Sequence, residues 1–103
     1  LNESALLAQI ILEYSRGDTR LWRNNVGCLQ DKRGSYVRYG VCNPGGSDII
    51  GITKGGLLVC IETKVGRNKA TPEQRAFIDI VLKLGGKAGV AYSIEEAGEI
   101  IAS

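Results

Sequence analysis

The chain has 103 residues, 44% hydrophobic and 23% charged, with two prolines and a net charge of +2. That composition suits one ordinary globular domain spanning residues 1–103 and excludes a disordered or fibrous chain. The absence of histidine excludes serine-histidine and cysteine-histidine hydrolases and leaves carboxylates, lysines and a borrowed metal ion to carry any chemistry.

Leu6, Leu7, Ile10, Ile11 and Tyr14 recur at helical spacing and Gly17 is a natural stop, so the chain is predicted to open with a helix. Two β-prone stretches follow, Leu21 to Val26 and Tyr36 to Val41. The polar connection Gln30 to Ser35 between them reads as a hairpin loop. Asn43-Pro44-Gly45-Gly46-Ser47 is a cluster of breakers, after which Asp48 to Thr53 reads as a short strand turned by Lys54-Gly55-Gly56 into the strand Leu57 to Lys64. Val65 to Ala70 is a basic loop. Thr71 then caps a helix with Pro72 at its first position and Gln74 three residues after the cap, and Gly85 and Gly86 end it. Lys87 to Tyr92 makes a last strand, and Ser93 with Glu96 forms a second capping box for a terminal helix running to about Ile101. The fold class expected from this order is α/β (α+β), a central mixed sheet flanked by helices. Leu57 to Ile61, a nearly unbroken apolar run, is its central strand.

Cys28, Cys42 and Cys60 are odd in number and widely spaced, which speaks against a disulfide framework and against zinc, and Cys60 reads as a core residue. No apolar run approaches the length of a membrane span and the amino terminus lacks the pattern of a signal peptide, so a cytoplasmic location with no membrane partner is expected. Arg16, Arg20, Arg23, Lys32, Arg33 and Arg38 stand against Asp18 and Asp31 in one region, whereas Glu95, Glu96 and Glu99 lie near the carboxyl end. That asymmetry fits one side facing phosphates, and equally a solvated loop carrying ordinary solubility charges. Trp22, Tyr36 and Tyr39 are read as core aromatics, with base stacking as their alternative role.

Polar residues at the end of a buried strand carry the chemical signal. Side chains alternate along a strand, so Glu62 and Lys64 project to one face, about 7 Å apart. Pairing across Lys54-Gly55-Gly56 brings Asp48 toward the same end. Two carboxylates suit magnesium or manganese, and a lysine beside them suits the charge that grows on a phosphodiester under attack. The plain alternative is a turn aspartate and an exposed ion pair. In the first helix Glu3 falls within the apolar stripe, while Glu13 lies on its flank, so Glu3 is the candidate third acid. A favourable charge at the helix start is its alternative role. Gln74 has the capping box as its simpler role.

Gly45-Gly46-Ser47-Asp48, then Ile61-Glu62-Thr63-Lys64, then Thr71-Pro72-Glu73-Gln74 resemble the virus-type replication-repair nuclease family of the PD-(D/E)xK superfamily over nearly the whole chain. Ser47 stands where that family often has proline. The resemblance implies a restriction-endonuclease-like core with Glu3, Asp48, Glu62, Lys64 and Gln74 as catalytic residues. It further implies a magnesium or manganese ion held by Asp48, Glu62, the main-chain carbonyl of Thr63 and, through water, Glu3, with no small-molecule cofactor. Lys54, Arg67 and Lys69, expected in loops near the site, are candidate DNA contacts. Compact members of the family resemble phage or bacterial homodimers that cleave four-way DNA junctions, so the implied partners are branched DNA and a second copy of the chain, in a bacterial cell or phage-infected host. The competing expectations are a restriction-like or general DNA-processing nuclease acting on flaps or duplex, and a catalytically silent DNA-binding module.

Overall fold

A computed structural model describes residues 1–25, 27–42 and 45–103. Helix α1, Glu3–Tyr14, starts where the Asn2 side chain accepts the Ala5 N–H at 2.8 Å, and it buries Leu6, Leu7 and Ile10. Strand β1, Arg20–Arg23, follows a turn at Gly17, whose φ of +59° is a left-handed conformation that favours glycine. A ribbon of β2, Gly27–Gln30, and β3, Tyr36–Tyr39, comes next. Strands β4, Ile49–Thr53, and β5, Leu57–Thr63, form the hairpin expected around Lys54-Gly55-Gly56, where Gly55 and Gly56 both have positive φ. Helix α2, Pro72–Lys83, strand β6, Lys87–Ala91, and helix α3, Ile94–Ala102, complete the chain.

β1, β4, β5 and β6 form one mixed sheet in that order, antiparallel except for the parallel pair β5 and β6. Because side chains alternate across β5, its two faces meet different helices. Val59 and Ile61 join Leu6, Leu7 and Ile10 of α1 and Ala97 of α3 in one core, while Cys60 packs with Ile78 and Val81 of α2 in another. Of the run Leu57 to Ile61 expected as the covered central strand, Val59, Cys60 and Ile61 are buried, as are Glu62 and Thr63 after them, whereas Leu57 and Leu58 near the turn are exposed. Among the described residues no helix is long and apolar enough to cross a membrane.

The expected hairpin between Leu21 to Val26 and Tyr36 to Val41 is corrected. β1 ends at Arg23 and pairs with β4, not with β3. Gly51 makes this possible, because a Cβ there would lie 2.3 Å from the Arg20 carbonyl oxygen. The partner of β3 is the unforeseen strand β2, and β2 and β3 make a separate two-stranded sheet turned at Asp31 to Ser35. Val26, Asn43 and Pro44, which fall within the expected first strand and the breaker cluster, lie outside the described residues. Trp22, Tyr36 and Tyr39, expected in the core, are 57%, 74% and 43% exposed, and among the described residues none of them belongs to either core cluster. The second capping box is also amended. Ser93 Oγ accepts the Glu96 N–H at 3.1 Å, but Glu96 Oε1 takes the N–H of Tyr92, one residue earlier than a reciprocal box requires.

Candidate active site

The β4 and β5 register pairs Ile49 with Ile61, so the next residues outward, Asp48 and Glu62, stand opposite each other at the end of the sheet. Asp48 is locked to β5. Its Oδ2 accepts the Thr63 hydroxyl at 2.8 Å and the Thr63 N–H at 3.1 Å. The resemblance implies a role only for the Thr63 carbonyl, whereas in the structure its hydroxyl orients the aspartate.

Glu62 is 2% exposed and faces α2. Gln74 Nε2 donates to its Oε1 at 2.7 Å, and Lys64 Nζ lies 3.9 Å from the same oxygen. Gln74 makes the capping bond and a second contact with the acid: its Oε1 accepts the Thr71 N–H at 2.9 Å while its amide nitrogen donates to Glu62. The capping box thereby fixes the rotamer that reaches the acid. Glu62 Oε2 is buried without a hydrogen-bond partner among the described residues. Burial first, and the neighbouring charge of Asp48 second, push the Glu62 carboxyl up to about 8 from its ordinary 4.5, against an opposing pull from Lys64.

The Gly45-Gly46 turn brings the aspartate loop against the start of α2. A Cβ on Gly45, whose φ is +89°, would sit 2.5 Å from the Glu73 carbonyl oxygen, and one on Gly46 would sit 2.2 Å from the Val41 carbonyl oxygen. Only glycine permits both approaches. Asn24, which the sequence did not single out, clamps this region from the other side. It is 8% exposed, donates from Nδ2 to the carbonyls of Val41 and Ser47 and accepts the Val41 N–H, all at 2.9 Å, while its own N–H bonds to the Asp48 carbonyl at 2.7 Å. Ser47 Oγ is a second buried oxygen without a partner among the described residues.

Glu3 lines a cavity of about 130 Å³ with Ser4, Leu7, Arg23, Asp48 and Thr63, on the α1 side of the sheet. It thus borders Asp48, whereas Glu13 is exposed and pairs with Arg16 at 3.3 Å. Among the described residues, however, no three His, Cys, Asp or Glu side chains form a group able to hold a metal, so the acids that meet are the pair Asp48 and Glu62. Arg67 and Lys69 are exposed in the loop that leaves Lys64. Lys54 is placed differently from expectation. It sits in the β4–β5 turn, at the opposite end of β5 from Glu62, roughly 20 Å away at a strand rise of about 3.3 Å per residue. A hairpin turn and the open ends of its strands are necessarily remote, which removes Lys54 from the site.

Two carboxylates thus stand side by side at this end of the sheet, one with an oxygen that lacks a partner among the described residues, beside a lysine whose side chain is 14% exposed; carboxylate oxygens are the ligands a hard divalent cation takes. Compared with known protein families and with curated proteins, the chain matches none.

Proposed function

We propose that this chain is a magnesium- or manganese-dependent endodeoxyribonuclease of the PD-(D/E)xK type, similar to the virus-type replication-repair nucleases, that cleaves four-way DNA junctions as a homodimer. The observation that carries this reading is the buried Oε2 of Glu62, without a hydrogen-bond partner among the described residues, beside Asp48, with Lys64 and Gln74 both directed at the other oxygen of the same acid. An unpaired buried carboxylate oxygen is costly, by about 1–3 kcal/mol or more, and a proton or a cation is what relieves it.

Asp48 and Glu62 would hold the ion, with the Thr63 carbonyl as a further oxygen, and water and substrate phosphate would complete its coordination. When bound, such an ion supplies Lewis acidity to the phosphoryl oxygen and acidifies water. Thr63 fixes the direction of Asp48, and Gln74 fixes that of Glu62. Lys64, close to Glu62 and reaching the surface, places its ammonium where charge grows on a phosphate under attack. Arg67 and Lys69, one loop further on, are positioned to hold flanking phosphates.

The test is incubation of the purified chain with labelled four-way junction, flap and linear duplex in magnesium or manganese, with Asp48→Ala and Lys64→Ala alongside. Metal-dependent incision of the junction is expected, reduced about 100-fold or more in each variant, and light scattering should give a dimer mass. Equal cutting of all three substrates would favour the general DNA-processing nuclease. Binding without cutting under every metal condition would leave the silent DNA-binding module and end the hydrolase reading.

A further inference from the structure

The β2–β3 ribbon and its flanks concentrate charge that the rest of the molecule lacks. Residues 20–41 contain five basic side chains, Arg20, Arg23, Lys32, Arg33 and Arg38, against the single acid Asp31; this is a local net charge of +4 in a chain whose total is +2, so the remainder is net negative. All five are exposed, and none forms an ion pair among the described residues. Asp31 is occupied inside the turn, where its Oδ1 accepts the N–H groups of Arg33 and Ser35. Those bonds hold the carboxylate against the turn backbone, and among the described residues neither Lys32 nor Arg33 forms an ion pair with it.

The register assigns the two faces of the ribbon. Cys28 pairs with Arg38 and Gln30 with Tyr36 on one face, while Leu29 pairs with Val37 on the other. Every side chain of β3 is exposed, with Tyr36 at 74%. A two-stranded ribbon exposed on both faces is marginal alone, and the charge on this one favours a polyanion. The root of the ribbon is tied to the candidate active site. Asn24 joins Val41, just beyond β3, to Ser47 and to the main chain of Asp48, and Arg23 lines the cavity that Asp48 borders.

We propose that the β2–β3 ribbon is a DNA-binding arm, with Lys32, Arg33 and Arg38 engaging phosphates and Tyr36 resting against sugar or base, which leads the duplex from the arm to Asp48. The identity of the polyanion as DNA rests on the nuclease reading above. A major groove about 12 Å wide admits a two-stranded ribbon, and Leu29 and Val37 on the second face offer apolar surface to bases unstacked at a branch.

The experiment measures affinity of the full chain for a fluorescent four-way junction and a linear duplex in EDTA across a salt series. The variants are Lys32→Ser/Arg33→Ser/Arg38→Ser and, as a control from the last turn of α2, Lys83→Ser. The triple variant should lose affinity about tenfold or more and lower the slope of log K against log salt by about three, while the control stays within about twofold. A fluorophore on exposed Cys28, in a Cys42→Ser background, should change emission on saturation with DNA. Melting and light scattering show whether fold and mass are kept. Unchanged affinity in the triple variant, absence of DNA binding by the wild-type chain, or a loss of affinity that accompanies a halved mass would overturn the arm. The last outcome assigns this surface to a second copy of the chain. Metal-dependent cleavage is scored separately: a chain that binds through the ribbon and cuts nothing keeps the arm and loses the hydrolase.

Discussion

In the four-stranded sheet Ile49, Val59 and Ile61 are fully buried, whereas in the two-stranded ribbon Leu29, Val37 and Tyr39 keep 64%, 51% and 43% of their surface exposed. The residue types are nearly the same, and both elements contain an antiparallel hairpin. The difference lies in what covers them, since α1 and α3 close one face of the large sheet and α2 the other, and among the described residues neither core cluster includes a residue of the ribbon. β-propensity selects extended backbone, and burial is decided by what packs on it afterwards. The stability of this chain therefore resides in the sheet.

The comparison is most sharply tested by truncating one side chain in each element. Ile61→Ala should cost about 2–5 kcal/mol, and Val37→Ala less than about 0.5 kcal/mol, both read from urea unfolding. Comparable losses at the two positions would show that the ribbon is covered in solution and would erase the contrast.

A smaller effect is expected at the polar end of the same buried strand. Burial pushes the Glu62 carboxyl up to about 8 in the fold, against an ordinary value of 4.5. Between those values the unfolded chain binds fewer protons than the folded one, so stability falls as pH rises, and the loss is complete above the folded value. In EDTA, Glu62→Gln should match the wild type near about pH 4 and exceed it by a few kcal/mol near about pH 9, while losing metal-dependent cleavage. Melting curves that run parallel across this range would mean that Glu62 ionises as a surface acid does. Manganese should narrow the gap by stabilising the wild type alone.

The smallest of the three effects falls where the two regions join. Asn24→Ala strands the N–H and carbonyl of Val41 and the carbonyl of Ser47, with an expected cost of about 1–3 kcal/mol. Cleavage should fall by more than the stability loss accounts for, since Asn24 also holds the start of β4 at Asp48. If Asn24→Ala melts as the wild type does, the joint is water-filled and the ribbon is not rigidly rooted.

What could be read from the sequence alone is what short-range chemistry fixes. The Gly55-Gly56 turn dictates the β4–β5 hairpin, and with it the approach of Asp48 to Glu62. Thr71, Pro72 and Gln74 dictate the start of α2, because a cap, a fixed φ and a reciprocal hydrogen bond all act within four residues. The tertiary structure alone decided the partner of β1, which turned on the missing side chain of Gly51, thirty residues away from Leu21. It also decided that Lys54 belongs to the far end of the hairpin, that Trp22 and Tyr36 face solvent, and that Asn24 rather than a charged residue binds the loops together. Glu62 could be recognised as an acid at a strand end, but its burial, its orphaned oxygen and its raised proton affinity depend on α2 and Asp48 closing around it. Burial and electrostatic environment are properties of neighbours brought from distant parts of the chain, and no spacing along one segment encodes them.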